Sequence, residues 1–407
     1  MRKFLNTRGG SAAHALSVLV LAFVLDSSMA RAWESRGHHV ICESAVFLVE
    51  NQELQKFLRE RIQTMVHLCN IPDSYWRSLG SEVSQIGSPT HYIYPEVIGT
   101  PIRDFPLDFA KLREQYEGAP DPSRPGPRFA SLAKELGTLW WRADQFVRRA
   151  TESARTAAAA KAPSRKEEEQ QAELPFNQAV YEMTVNMGLL GHFVGDGSMP
   201  FHSTADLDGY AQNHGGIHKF YETTVVNAED EKLTADVVAR ARQLMAEIDH
   251  PAKKPKKKTQ RNAKAEKYAA KMPEVQFLRL PTPLEKMRAL SAISADDIAT
   301  VLQNDPTTGK SSVKLENGKD TEYPAPRTLS PKAVANYRPI IVEHLARSAA
   351  LLAQFWDLVF TQGGNPKLSE YKYWQFPFKP EFVPPDYIPG ESVAGEQRAG
   401  EQKNPTH

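Results

Sequence analysis

The chain has few cysteines and no long hydrophobic run. Cys42 and Cys69 are its only cysteines, so at most one disulfide can form and a disulfide-framework protein is excluded. Neither belongs to a Cys-x-x-Cys pair, which argues against a thiolate metal site. The apolar run from Leu16 to Leu25 is too short to span a bilayer, since a helix needs about 20 residues for that. The composition is that of a globular protein, and a polytopic membrane protein is excluded.

Neither sign of charge dominates, because 50 Lys and Arg residues stand against 49 Asp and Glu residues. The positive charge is concentrated in residues 253–271, which hold nine Lys and Arg against Glu266 alone. The rest of the chain after residue 32 is therefore acidic, and we expect no stable binding to duplex nucleic acid, which normally needs a basic face. The basic tract is interpreted as a solvated linker, with a tether to anionic lipid or nucleic acid as the alternative.

The amino terminus has the pattern of a secretory signal. Basic residues at Arg2, Lys3 and Arg8 precede the apolar run, and Ala30-x-Ala32 forms a small-residue cleavage site. We predict a signal peptide over residues 1–32, with cleavage after Ala32 and Trp33 as the new amino terminus. The protein is then secreted or periplasmic and keeps no transmembrane anchor; a retained membrane anchor is the less favoured alternative.

Apolar residues recur at helical spacing through most of the chain after residue 32. The pattern predicts an all-α fold: a single helical-bundle domain over residues 33–363, with long loop insertions near 97–173, 251–273 and 304–327 and a small β-hairpin. Asn317-Gly318, between alternating runs in 311–323, predicts the turn of that hairpin. Helices are predicted at 38–50, 53–68, 129–160, 175–196, 234–248, 284–303 and 331–361.

Two further segments are predicted to lack regular packing. Residues 155–173 have few large apolar side chains and are predicted as an extended helix end or a solvated loop. Residues 364–407 are predicted as a C-terminal extension rich in proline and aromatic residues. Within it, the stretch from Tyr371 to Pro389 is expected to run extended over the surface, and the last eighteen residues are expected to be disordered.

Histidines and acids occur at a spacing that favours metal binding. His192 and Asp196 are four residues apart, as are His218 and Glu222, so each pair shares a helix face. His202 follows the predicted end of the first helix, between the two pairs. One such pair alone is usually a surface ion pair, but two pairs around a third histidine predict a preassembled metal site.

The predicted amino terminus adds two candidate ligands. Cleavage after Ala32 would give Trp33 a free α-amino group close in sequence to His38. An α-amino group is about half neutral near pH 8, so a metal ion can bind its lone pair at little cost.

The order of these residues resembles the trinuclear zinc superfamily, which joins zinc-dependent phospholipases C with the single-strand-specific zinc nucleases of fungi and plants. The resemblance runs from Trp33 to about residue 361 and includes Asp73 in IPDSYW and His91 in THYIY. Asp73 taken alone is as readily interpreted as a helix N-cap or surface acid as it is as a ligand, so its role depends on the family pattern. Carried over by position, the resemblance implies three Zn²⁺ ions. Their ligands would be Asp73, His91, His192 and Asp196 for one ion, His202, His218 and Glu222 for another, and Trp33, His38 and a shared Asp196 for the third.

The activity that the resemblance implies is phosphodiester hydrolysis, with Asp196 as a bridging ligand and Asp73 as a ligand and proton acceptor. No Gly-x-Ser-x-Gly elbow and no phosphate-binding Gly-rich loop occurs, so metal ions would carry the chemistry. The Trp-x-x-x-Gly-His spacing favours a single-strand nuclease, with nucleotide phosphomonoesterase activity as a further expectation. Glu222, at a position where the nucleases usually have Asp, and the short gap of 16 residues from His202 to His218 resemble the phospholipases C instead.

Substrate and partners therefore stay open between single-stranded nucleic acid and phospholipid. A nuclease needs aromatic platforms for the bases, and a phospholipase needs an apolar rim. A non-catalytic secreted metal-binding protein is the third alternative, and the oligomeric state is not predicted. The candidate aromatic residues are Tyr75, Trp76, Tyr92, Tyr94, Phe201 and Tyr210.

Overall fold

Helices supply almost all of the regular structure. The computed structural model describes residues 33–119, 129–249, 275–376 and 379–388, and within these ranges the fold is all-α with one two-stranded β-hairpin, as predicted. The α-helices are α1 (Glu34–Val46), α2 (Gln52–Arg59), α3 (Ile62–Ser74), α4 (Ser81–Gly87), α5 (Phe109–Tyr116), α6 (Leu132–Leu136), α7 (Leu139–Ala159), α8 (Pro175–Ser198), α9 (Ile217–Lys219), α10 (Val226–Ala228), α11 (Leu233–Asp249), α12 (Pro283–Ala295), α13 (Ile298–Gln303) and α14 (Pro331–Gln362). A π-helix, Phe220–Val225, joins α9 to α10. Short 3-10 helices occupy Trp76–Leu79, Ser88–His91, Pro95–Ile98, Ile102–Asp104, Glu168–Gln170, Pro200–Ser203, Tyr210–Gln212, Val275–Arg279 and Leu368–Glu370.

Helix α8 lies at the centre of the bundle. It packs against α1, α3, α7 and α14, and every residue from Met187 to Ser198 is buried. One of its glycines is required for this packing, because a Cβ on Gly195 would lie 2.7 Å from Nδ1 of His38 on α1. A larger residue at position 195 would push away the helix that carries His38.

Helix α14 supports α8 along its length. It begins at Pro331, in the first-turn position that proline favours, and the Ser330 side chain caps it by accepting a hydrogen bond from Ala333. Two of its side chains donate hydrogen bonds to α8 carbonyls: Ser348 Oγ to Val194 at 3.0 Å and Trp356 Nε1 to Met187 at 2.9 Å. The orientation of α8 is therefore fixed by polar contacts as well as by apolar packing.

Three predicted helices are interrupted where tertiary contacts override local periodicity. The predicted helix 53–68 is two helices, since Arg61 leaves the helical conformation and places its guanidinium 3.9 Å from the Trp374 ring centre. The predicted helix 284–303 breaks at Asp297, whose carboxylate contacts Arg347 on α14 at 2.8 Å. The predicted helix 129–160 begins at residue 132 and breaks at Gly137, where φ is +83° and a Cβ would lie 2.2 Å from the Tyr92 carbonyl oxygen.

The β-hairpin matches the turn chemistry of its sequence. Strands β1 (Ser312–Glu316) and β2 (Lys319–Tyr323) pair antiparallel, with Ser312 opposite Tyr323. Asn317 and Gly318 form the turn with φ of +53° and +75°, the left-handed pair that an Asn-Gly hairpin turn needs.

Cys42 on α1 and Cys69 on α3 form a disulfide, which answers a question that the sequence left open. Residues 160–174 connect α7 to α8 with one short 3-10 helix, in keeping with a solvated connection. Residues 379–388 run without a helix or strand.

Among the described residues, no helix combines the length and hydropathy needed to cross a bilayer. The predicted signal peptide, the predicted insertion 251–273 with its basic tract, and the last eighteen residues lie outside the described residues.

Candidate metal centre

Four predicted ligands converge beside the end of α8. His192 and Asp196 project from α8, Asp73 comes from the last turn of α3, and His91 ends the 3-10 helix Ser88–His91. All four side chains are buried or nearly so, with Asp73 7 % exposed. A close approach of four such groups without a cation is unfavourable, because burial penalises any charge that is not compensated.

The donor atoms of Asp73, His91 and His192 lie close together, and those of His91 and His192 also lie close to Asp196. His91 Nδ1 lies 3.0 Å from both Asp196 Oδ2 and His192 Nε2, and 3.7 Å from Asp73 Oδ1. His192 Nε2 lies 3.5 Å from Asp196 Oδ2 and 3.7 Å from Asp73 Oδ1. A tetrahedral zinc site with metal–ligand distances near 2.0 Å has edges of about 3.3 Å. Asp73, His91 and His192 could therefore hold one metal ion, and Asp196 Oδ2 lies close to both imidazoles.

A second group shares two of these residues. His38 Nε2 lies 3.4 Å from Asp196 Oδ1, and the His38 ring stacks on the His192 ring at 4.0 Å between centres. Asp196 Oδ1 makes no hydrogen bond among the described residues, although it is fully buried. The two oxygens of Asp196 thus face two different groups of donors, which suits a bridging carboxylate.

The third group lies after the end of α8. His202 is on the 3-10 helix Pro200–Ser203, His218 on α9 and Glu222 on the π-helix. His218 Nε2 lies 3.2 Å from His202 Nε2 and 3.0 Å from Glu222 Oε2. The sequence predicted a regular helix for His218 and Glu222; the four-residue spacing brings their side chains together, but the backbone between them passes into π geometry.

Backbone carbonyls orient two of the imidazoles. His192 Nδ1 donates to the Cys69 carbonyl at 3.0 Å, and His202 Nδ1 donates to the His91 carbonyl at 2.5 Å. A carbonyl oxygen is only an acceptor, so each Nδ1 carries the proton and each Nε2 keeps its lone pair for the site. In the third group, an N–H at Nε2 of His218 could donate a hydrogen bond either to His202 or to Glu222, whereas a metal ion could bind all three side chains.

Burial holds the histidines in the neutral state that metal binding requires. It lowers the pKa values of His91, His192 and His202 well below the ordinary value, with nearby positive groups contributing, and lowers the pKa of His218 to about 4. Burial also raises the pKa of Asp196 well above its usual range, reinforced by Asp73 and Glu222. Both shifts follow mainly from burial, which disfavours the charged form of the histidines and of the aspartate alike.

Trp33 reaches the centre through its main chain. Its nitrogen donates to Glu222 Oε2 at 2.8 Å, and its indole Nε1 donates to the Gly195 carbonyl at 2.9 Å. Trp33 is fully buried and has a φ of +40°, which is unusual for a bulky residue. The nitrogen therefore contacts the third group, whereas the resemblance assigns it beside His38 and Asp196.

Arg77 is a site residue that the sequence analysis missed. Its Nη2 lies 2.8 Å from Asp73 Oδ1, and about a fifth of its side chain is exposed. A small pocket beside it is lined by Trp76, Arg77, His91 and Phe382, among others. The four-residue spacing from Asp73 to Arg77 was the available signal. Arg77 therefore places a positive charge at the exposed side of the first donor group.

The candidate aromatic platforms differ in accessibility. Trp76 and Phe201 are buried, and Trp76 packs edge-to-face with Phe382. Tyr92 and Tyr94 stack in parallel at 4.1 Å directly after His91, and both are partly exposed, as are Tyr75 and Tyr210. The Tyr92–Tyr94 pair is the aromatic surface that follows a candidate ligand most closely in the chain.

No protein-family model matches the chain, and no curated protein matches it. The capacity to bind metal rests on the side-chain geometry: three buried groups of histidine, aspartate and glutamate in the described part of the chain, each with donor atoms within 4.8 Å of one another.

Proposed function

We propose that this chain is a secreted zinc-dependent phosphodiester hydrolase of the trinuclear zinc superfamily, and that its substrate is single-stranded nucleic acid. The observation that carries the proposal is the position of Asp196. Its Oδ2 faces His91 and His192, while its Oδ1 faces His38. A carboxylate shared in this way supports adjacent metal ions, and adjacent ions suit displacement at phosphorus.

The donor set favours zinc over other divalent ions. Histidine nitrogens and carboxylate oxygens at tetrahedral spacing are typical of zinc, whereas calcium and magnesium prefer oxygen ligands in larger shells. When bound, zinc would supply a Lewis acid for a phosphoryl oxygen and a nucleophile at neutral pH.

The remaining roles belong to residues of this chain. Asp73 is the least buried of the four first-group ligands, and its carboxylate can accept a proton at the exposed side of the site. The Arg77 guanidinium holds Asp73 Oδ1, and its positive charge would attract the oxygens of a phosphate group. Asp73 and Arg77 would therefore orient the substrate and receive the proton that the reaction releases.

Nucleic acid is favoured over phospholipid by the surfaces next to His91. The stacked and partly exposed Tyr92–Tyr94 pair can receive a nucleobase, and such stacking contributes about 1–3 kcal/mol per base. Leu79 is the exposed large apolar residue of the segment 73–94, and one leucine is little surface for a bilayer.

The proposal is tested on one metal-analysed preparation of the wild type. Its activity is measured on heat-denatured DNA, duplex DNA, a 3′-nucleotide and phosphatidylcholine vesicles. Two variants are assayed in parallel: Asp196→Asn, and Asp320→Asn as a matched control on the exposed hairpin.

We expect zinc-dependent cleavage of denatured DNA that is lost in Asp196→Asn and retained in Asp320→Asn. Cleavage of vesicles alone would replace the nuclease with a phospholipase C. Three bound zinc ions with no hydrolysis of any substrate would leave a non-catalytic metal-binding protein.

A further inference from the structure

The Cys42–Cys69 disulfide lies one helical turn from two candidate ligands. Cys42 follows His38 by four residues on α1, and Cys69 precedes Asp73 by four residues on α3. The Cys69 Sγ lies 3.5 Å from the His38 carbonyl oxygen. The bond therefore joins the two helices close to the residues that they contribute to the metal centre.

The same disulfide contacts α8, the third ligand-bearing helix. A Cβ on Gly191 would lie 2.3 Å from the Cys42 sulfur and 2.9 Å from the Cys69 sulfur, so the bond passes directly over this glycine. The next residue, His192, donates its Nδ1 proton to the Cys69 carbonyl at 3.0 Å. This hydrogen bond selects the tautomer and the ring orientation with which His192 faces both Asp73 and Asp196.

We propose that the Cys42–Cys69 disulfide positions His38, Asp73 and His192, so that the two donor groups sharing His192 bind metal tightly only while this bond is intact. The inference rests on the proposed metal-binding role of the site and does not depend on which substrate is hydrolysed.

Reduction would force these helices to move. A dithiol reductant breaks the S–S bond, supplies two electrons and two protons to give two thiols, and is itself oxidised to a disulfide. Covalently bonded sulfurs are about 2.05 Å apart, whereas non-bonded heavy atoms need roughly 3.5–4.0 Å. Because Gly191 leaves no space on the α8 side, the extra separation would come from α1 and α3, which carry His38 and Asp73. Removing both sulfurs likewise removes the covalent link that fixes these two helices to each other.

The third donor group provides an internal control. His202, His218 and Glu222 lie on the 3-10 helix Pro200–Ser203, on α9 and on the π-helix, none of which contains Cys42 or Cys69. Loss of the disulfide should leave this group able to bind its ion. A general loss of folding would instead weaken all three groups together.

The test compares wild type with the double variant Cys42→Ala/Cys69→Ala, both purified metal-free and titrated with Zn²⁺. Alanine is used because free thiols in reduced wild type could bind zinc themselves. Native mass spectrometry reports the number of ions, and competition with a chromophoric chelator reports their affinities. Leu112→Ala, a buried substitution on α5, serves as a control for lowered stability without a change in ligand-bearing helices.

We expect the double variant to bind two of the three ions at least about tenfold more weakly, the scale seen when groups that orient metal ligands are removed. The third ion should keep its affinity, and Leu112→Ala should keep all three. By linkage, saturating zinc should also disfavour reduction of the wild-type disulfide by dithiothreitol by the product of the two factors, about a hundredfold, measured as thiols formed at equilibrium.

Equal affinities in the two proteins, or an equal extent of reduction with and without zinc, would overturn the inference while leaving the metal centre intact. A wild type that binds no zinc in its oxidised form would instead overturn the proposed function. Weakening of all three ions in the double variant and in Leu112→Ala alike would show that the disulfide acts on stability only.

Discussion

Replacing Asp196 with asparagine should remove two of the three ions and leave the metal-free fold nearly unchanged. Asparagine has the same shape and retains one carbonyl oxygen, but it is a poor zinc ligand and cannot bridge two ions. In the metal-free protein, burial and the neighbouring Asp73 and Glu222 raise the pKa of Asp196, so its charge is already disfavoured. We therefore expect the metal-free variant to be within about 1 kcal/mol of wild type in its free energy of unfolding.

The expected loss of unfolding free energy depends on how many donor groups each carboxylate belongs to. An ion held at a free concentration of 100 times its Kd stabilises the folded state by about 2.7 kcal/mol. Three ions would contribute about 8 kcal/mol to wild type. Asp196→Asn should keep about 3 kcal/mol of this, because the two carboxylate oxygens of Asp196 face the first and second donor groups and both of those ions would be lost. Glu222→Gln should keep about 5 kcal/mol, because Glu222 belongs to the third group alone.

The assay is urea unfolding at pH 7 with zinc and again with a chelator, with ions counted by native mass spectrometry. The difference between the two unfolding free energies isolates the metal contribution for each protein. An equal difference for wild type and Asp196→Asn would refute the bridging role. A loss of more than about 3 kcal/mol by Asp196→Asn in chelator would mean that the carboxylate stabilises the fold without metal.

Three further predictions concern regions around the centre. A chain with one additional methionine before Trp33 should bind less zinc than one that begins at Trp33, because a peptide nitrogen is a poor ligand; equal zinc content by atomic absorption would show that the terminal amine is not used. Deleting residues 253–271 should leave turnover of a small soluble phosphodiester unchanged and should weaken cleavage of denatured DNA at low salt only, because salt screens the electric field of the basic tract within about 10 Å at 0.1 M. If the tract is only a linker, the deletion will change neither activity at any ionic strength. Burial raises the pKa of Asp297, but hydrogen bonds and charge from His344 and Arg347 outweigh this effect and leave a pKa of about 2. The ionised Asp297 therefore contributes about 2 kcal/mol to the free energy of unfolding above pH 4, and this contribution is lost as the pH falls towards 2. The stability difference between wild type and Asp297→Asn, measured in chelator, should shrink over that range.

The part of the site that the sequence predicts is the part that follows from helix geometry. His192 with Asp196, and His218 with Glu222, are four residues apart, and that spacing alone brings each imidazole to its carboxylate. His91 meets His192 across 101 residues, and no periodicity encodes such a contact. Asp73 and His91 were therefore predicted only through the resemblance.

The errors in the helix boundaries have a common physical origin. Arg61 continues an amphipathic pattern, yet its guanidinium stacks on Phe57 and Trp374 instead of extending the helix. Asp297 likewise ends a helix to pair with Arg347. In both cases a residue separated in sequence supplies the decisive contact, so the window in which periodicity is measured does not contain the cause.

The π-helix Phe220–Val225 fixes the length of the segment that carries Glu222. A π turn closes hydrogen bonds from i to i+5 and so accommodates one residue more than an α turn. Phe220, Tyr221 and Glu222 are buried in succession there, and the Tyr221 hydroxyl hydrogen-bonds to Nδ1 of His344 at 2.8 Å. Deleting one residue would restore the α spacing and rotate the side chains on one side of the deletion by about 100° relative to the other. Homologous chains should therefore vary freely in length between α7 and α8 but keep a constant residue count from His218 to Val226.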